Sequence, residues 1–281
     1  MSALEVVEEL GTVVSLPAAA VRVCALAQDP ATTAAMFESV ILTDVALTAR
    51  LLRVANSPAL GLATKVTTVS RAVTVLGMGA VRDLAVGIAA VHSFARIPSN
   101  LVTMESFWTH SMLCGIAARE LAARGGRRRQ AETAFVEGLL HDVGVLLLFR
   151  ARPDESREAL LQWADDPGDS SLLDWERRVL GFDHCEVGAE LARRWHLPPQ
   201  LQSCIAFYPQ PERAAEHGFD AAIVCLADRI ATLAQIESTD LEDAGAVPDS
   251  VWRLTGARPD WVPDVLAAAN GQLDEVRALL A

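Results

Sequence analysis

The chain has 281 residues, 51% of them hydrophobic, and a formal net charge of −12. That apolar content excludes a disordered chain. The acidic balance argues against a nucleic-acid surface spread over the molecule, because phosphate binding rests on clustered Lys and Arg.

Taken in order, the chain reads as helix after helix. Residues 4–10 form a short amphipathic start, and Leu16-Pro17 opens a helix that runs to Ala27 before Asp29-Pro30. Thr32 or Thr33 caps the next helix, which turns Met36, Phe37, Val40 and Ile41 inward. Asp44 caps a helix with Leu47, Leu51 and Val54 on one face, and Asn56-Ser57-Pro58 stops it. A loop through Gly61 leads to Thr68, which begins residues 69–76. Gly77-Met78-Gly79 then breaks the chain before a helix over 80–94.

Beyond Ile97-Pro98-Ser99 a helix over about 104–124 places His110, Leu113, Cys114, Ala117 and Leu121 on one stripe. A further helix spans 135–149, and residues 152–171 read in part as an exposed loop. Leu172, Trp175 and Val179 mark a helix closed by Gly181. Asp183 with Glu186 makes a start resembling a capping box for a helix through Trp195. Leu197-Pro198-Pro199 begins another, through Tyr208, and Asp220 opens residues 221–234 with Asp228 beside their apolar face. The tail from Val247 adds two or three short helices. No run of period-two alternation bounded by turn signals is present, so the fold class is all-α.

Within the 135–149 helix, Gly138-Leu139-Leu140-His141-Asp142-Val143-Gly144 places a His-Asp doublet in a run that is apolar nearly all round. Burial normally excludes such polarity, so the doublet is a site or the remains of one. His141 and Asp142 are two potential metal ligands, since imidazole and carboxylate side chains in a helical bundle can hold a divalent metal; His110 and Asp228 also stand beside apolar helical faces. Taken singly, a histidine on an apolar helical face is more often a hydrogen-bonded core residue. Asp228 has a further alternative as a helix cap or an arginine partner. His92, His196 and His217 read as ordinary packing or surface residues, and Trp108, Trp175 and Trp195 as core or interface filler.

Leu16-Pro17, the run Thr48-Ala49-Arg50-Leu51-Leu52-Arg53-Val54-Ala55-Asn56-Ser57, and residues 66–77 together resemble the HDOD domain. So do Phe107-Trp108-Thr109-His110-Ser111 and the Gly138 to Gly144 segment, and the resemblance covers about residues 12–233. HDOD domains are bacterial helical modules related to the HD metal-dependent phosphohydrolases, so the resemblance implies a role in signal transduction. It also implies a metal-ligand set of His110, His141, Asp142 and Asp228, with His184 similar to an additional ligand position of HD-GYP phosphodiesterases.

Two departures point away from hydrolysis. Where HD-GYP enzymes typically carry a Lys after the doublet's Gly, this chain has Val145, which offers a phosphoryl oxygen neither charge nor hydrogen bond. Phe207-Tyr208-Pro209 stands where the paired histidines of those enzymes are expected, and the Gly-Tyr-Pro motif is lacking. Arg50, Arg53 and Asn56 are expected to fix the turn at Asn56-Ser57 and to bind no ligand.

The expected architecture is two packed helical subdomains, 1–98 and an HD-like bundle over 99–240, with a helical extension over 241–281. The expected function is a non-catalytic regulatory or protein-interaction module, with an exposed apolar groove or patch between the two halves. The alternative is a metal-dependent phosphohydrolase acting on a nucleotide or phosphomonoester. No receiver, kinase or cyclase segment is evident, so the expected partner is another signalling protein or a small signalling ligand, with no nucleic acid and no membrane. No catalytic residue is assigned. No cofactor is expected beyond a divalent metal (Mn, Fe, Zn or Mg), should the ligand set be retained. Arg124, Arg127, Arg128 and Arg129 form the one basic cluster, read as a solvated helix end. Cys24, Cys114, Cys185, Cys204 and Cys225 are scattered without a C-x-x-C pair, and the N-terminus lacks a basic and apolar leader. Both features fit a reduced, cytoplasmic compartment. No apolar run approaches the ~18 residues of a bilayer span.

Overall fold

The computed structural model describes residues 2–10, 15–57, 65–94, 101–166 and 170–280. Every regular element among them is helical, as the sequence predicts. The first six helices are α1 (Ala3–Leu10), α2 (Ala18–Ala27), α3 (Ala34–Ile41), α4 (Val45–Ala55), α5 (Val69–Leu76) and α6 (Met78–Phe94).

Their starts follow the sequence. The Thr33, Asp44 and Thr68 side chains accept from the backbone N–H groups of Met36, Leu47 and Arg71, satisfying donors that a helix N-terminus otherwise leaves unpaired. Gly77, at φ 89°, supplies the left-handed residue that separates α5 from α6. Asn56 ends α4 and fixes the chain beyond it: its amide donates to the carbonyls of Leu52 (2.6 Å) and Val66 (2.7 Å), and its Oδ1 accepts from the Val66 N–H at 2.7 Å. The expected stop at Pro58, the loop through Gly61 and the boundary at Ile97-Pro98-Ser99 lie outside the described residues. Met36 departs from expectation. It is 40% exposed, because Phe37, Val40 and Ile41 fill the buried face of α3 without it.

The chain continues through α7 (Met104–Arg124), α8 (Ala131–Leu140), α9 (Val143–Ala151), α10 (Pro153–Ala164) and α11 (Leu172–Leu180). It then forms α12 (His184–Arg194), α13 (Pro199–Phe207), α14 (Gly218–Gln235), α15 (Asp249–Thr255) and α16 (Val262–Leu280). Three sequence expectations need correction here. The helix read over 135–149 is two helices, α8 and α9, with His141 and Asp142 forming the turn between them. Residues read in part as loop form α10, which buries only Ser156 and Ala159 and so carries almost no apolar period. The tail contains a 19-residue helix, α16, which packs on α7, α14 and α4.

Helices α2 to α6 pack against one another, α7 is flanked by α8, α14 and α16, and α1 packs on α9 and α12. One hydrophobic cluster runs through the whole. Trp108 and Trp195 serve as core filler around Phe94, at ring centroid distances of 6.5 and 5.7 Å. No helix among the described residues is long and apolar enough to cross a membrane.

Candidate metal centre

Glycines set the position of the doublet. A Cβ on Gly138 would lie 2.8 Å from the Cys114 carbonyl oxygen, and one on Gly144 would lie 1.9 Å from that of His184. Only residues without side chains allow α8 so close to α7, and α9 so close to α12. The turn between them therefore projects His141 and Asp142 into the space bounded by α7, α12 and α14.

His141 is fully buried, and its Nδ1 donates to the Gly138 carbonyl at 2.7 Å. That bond fixes the tautomer and leaves Nε2 facing Asp142 Oδ2 at 3.4 Å and Asp228 Oδ1 at 3.6 Å. Nε2 is buried and makes no well-formed hydrogen bond among the described residues. From α7, His110 donates through Nε2 to Asp228 Oδ1 at 3.1 Å, while its Nδ1 lies 3.0 Å from Gln235 Oε1. His110, His141 and Asp142 each offer a ligand atom within 4.8 Å of the others.

These residues fit a divalent cation. An orphaned imidazole nitrogen, buried and aimed at two carboxylates, is the arrangement in which a metal satisfies a group that nothing else satisfies. His110, His141, Asp142 and Asp228 would hold it, the metal taking the place of the proton on His110 Nε2. Asp228 lies inside α14 and so caps no helix; its Oδ1 accepts from His110, and Arg229 Nη1 reaches its Oδ2 at 3.5 Å.

The electrostatics are those of opposed charges packed together. Burial disfavours charge on His141, but the Asp142 carboxylate and the neighbouring Cys114 and Asp228 raise its pKa well above the usual range. Burial likewise opposes ionisation of Asp228, yet the bond from His110 and the adjacent His141 imidazole hold its carboxyl well below the usual carboxylate range. Asp142 is lowered too, its burial outweighed by His141 and His184.

His184 reaches the centre from the first turn of α12, but its ring is engaged elsewhere. Nδ1 donates to Glu176 Oε2 at 2.7 Å, and Nε2 lies 3.3 Å from the Tyr208 hydroxyl and 3.6 Å from Asp142 Oδ1. Tyr208 in turn donates to Asp142 Oδ1 at 2.8 Å and stands edge-on to His141, centroids 4.8 Å apart. Glu176, His184, Tyr208 and Asp142 thus form one hydrogen-bonded chain. Glu176 and the site role of Tyr208 were not readable from the sequence, since nothing in a lone acid or a tyrosine marks a partner many residues away.

The fold defines an all-α protein with an HD-like helical arrangement. Residues 13–211 match the model of the HDOD domain, and the chain belongs to that family. A curated relative from Treponema pallidum, itself uncharacterised, is 24% identical over 214 residues, covering 76% of this chain. The chain matches 41% of that relative's length. A candidate phosphohydrolase from Shewanella amazonensis superposes with a TM-score of 0.74 at 27% identity, over 100% of this chain and 99% of its own. An HDOD domain protein of unknown function from Geobacter sulfurreducens gives 0.68 at 25% identity, over 99% and 96%.

Proposed function

We propose that this protein is a regulatory HDOD module whose HD-type centre is kept as a closed, non-hydrolytic element. The observation that carries the reading is the Tyr208 hydroxyl on Asp142 Oδ1. A hydrolytic centre needs its metal-binding carboxylate free and an open position where water meets phosphate. Here Tyr208 and the chain behind it engage Oδ1 of Asp142, leaving Oδ2, which faces His141 Nε2, as the one oxygen of that carboxylate open to a metal. Val145, on α9, supplies no charge for a phosphoryl group. Signalling would then pass through binding of another protein or a small ligand.

A second reading, a metal-dependent phosphohydrolase acting on a nucleotide or phosphomonoester, is favoured by the orphaned Nε2 of His141. When bound, a metal would supply Lewis acidity. The chain's own part would be to orient imidazoles through Gly138 and to hold Asp142 and Asp228 ionised.

Metal content of the purified protein, by inductively coupled plasma mass spectrometry with His141→Ala as control, separates the two. The regulatory reading expects metal well below one ion per chain in both proteins. Near-stoichiometric metal that disappears in the variant supports the second reading and justifies a nucleotide screen.

A further inference from the structure

Away from the doublet, a cavity of about 20 Å³ lies where α4 and α6 meet α7, α8 and the end of α16. Its wall is largely aliphatic, from Leu84 and Ile88 on α6, Val136 and Leu139 on α8, and Val276 and Leu280 on α16. Two ionisable side chains interrupt it.

Arg119 is 7% exposed. Its Nη2 donates to Gln272 Oε1 at 2.5 Å, and its guanidinium lies 5.4 Å from the Phe135 ring centroid. Arg119 has no ion-pair partner within 4.0 Å among the described residues, and its Nε is buried without an acceptor. Glu132 Oε2, on the same cavity, is buried without a donor among the described residues. A guanidinium stays charged at any working pH, and a buried cation lacking a close counter-ion is costly. The charge of Arg119 reaches the Glu132 carboxyl and holds it lower than burial alone would, but no carboxylate closes on the guanidinium, so Nε keeps an unmet demand for an acceptor. The guanidinium N–H groups form a planar fork that matches a carboxylate, and the surrounding wall matches an alkyl chain.

We propose that this cavity binds a small aliphatic monocarboxylate, with the carboxylate on Arg119 and the chain along Leu84, Ile88, Val136 and Leu139. The cavity as it stands holds about one water molecule. Seating an alkyl chain there would require the last turn of α16, with Leu279 and Leu280, to give way. Glu132 completes the head-group site: burial pushes its carboxyl up to about 7, so its protonated form can donate from Oε2 to the ligand. An amine in the same place would meet the charge of Arg119, and an alcohol would use only part of the fork. Because α6, α8 and α16 all contribute, the ligand would tie these elements together. The site is independent of any metal at the doublet.

The test is isothermal titration calorimetry of octanoate, octylamine and octanol against the wild-type protein, Arg119→Gln and Leu280→Ala. Octanoate is expected to bind at one site, at least tenfold more weakly to R119Q, and more tightly to L280A, which vacates space for the chain. Octanol and octylamine are expected to bind at least tenfold more weakly than octanoate. The proposal is overturned by absent octanoate binding to both wild type and L280A, by equal affinity of R119Q, or by octanol or octylamine binding as well as octanoate. Since Arg119 also holds Gln272, R119Q could fail to fold. A diazirine-bearing octanoate then serves, expected to label wild-type peptides from α6, α8 or α16. Labelling confined to other segments overturns the proposal.

Discussion

The Tyr208 hydroxyl donates to Asp142 Oδ1 across 2.8 Å, joining side chains 66 residues apart in sequence at the centre of the bundle. Burial, and then the Asp142 carboxylate, raise the pKa of the tyrosine well above its usual value, so it remains a donor throughout the working range. Tyr208→Phe keeps the ring against His141 and removes only the hydroxyl. A hydrogen bond to a charged group contributes about 1.5–3 kcal/mol, so urea unfolding should show a loss of about 2 kcal/mol with an unchanged m value. A loss below about 0.5 kcal/mol would mean that the bond contributes little in solution.

Glu137, on α8, is 1% exposed, and among the described residues neither carboxyl oxygen makes a well-formed hydrogen bond, although Gln200 and Cys204 stand close enough to act on it. Burial, then the nearby Asp220 and Asp83 carboxylates, push its pKa well above the ordinary value. Because the folded pKa is the higher one, this group's contribution to stability is complete below its unfolded pKa, about 4.3, and is lost as pH rises through the folded pKa. Within that window the loss is about 1.4 kcal/mol per pH unit. Glu137→Gln should remove this part of the pH dependence, giving a flatter profile of unfolding free energy above pH 5 than wild type. Parallel profiles would contradict it.

Glycine positions divide by what surrounds them. A Cβ on Gly144 would lie 1.9 Å from the His184 carbonyl oxygen, whereas one on Gly271, inside α16, meets nothing within 4 Å. Gly144→Ala should therefore cost about 3 kcal/mol or more by forcing α9 off α12, while Gly271→Ala should stabilise by about 0.5–1 kcal/mol through helix propensity. Thermal unfolding of the pair reads both signs at once, and a neutral Gly144→Ala would show that the close crossing is not required.

The side-chain amide of Asn56 makes three bonds that fix the segment at Val66 to the end of α4. Asn56→Ala leaves the Val66 N–H and carbonyl without these partners. A cost of about 2–4 kcal/mol is expected, against less than about 0.5 kcal/mol for Arg53→Ala on the exposed face of the same helix. Chemical denaturation of the two variants makes the comparison, and equal effects would contradict it.

Much of this was legible in the sequence because it is written locally. Thr33, Asp44, Thr68 and Asp183 cap the helices they precede, and Gly181 closes α11 in the left-handed conformation. The break at His141 and Asp142 was not legible, since apolar residues on both sides continue a helical pattern. The turn there is set by close contacts with α7 and α12 that Gly138 and Gly144 permit, and no Gly or Pro stands within the turn itself to mark it. Helix α10 was obscured for the opposite reason, having too little buried surface to show a period. Of the residues around the doublet, His110, Asp228 and His184 could be placed by the order of ligands in a resembling family. Glu176 and Tyr208 act through tertiary contacts that leave no local trace.

The most direct test is hydrolysis by protein loaded with excess Mn, assayed on chromogenic phosphomonoesters and a panel of nucleotides, with Asp142→Ala in parallel. The closed, regulatory reading predicts background rates that are the same for both proteins. Metal-dependent turnover in the wild type that Asp142→Ala abolishes would contradict it.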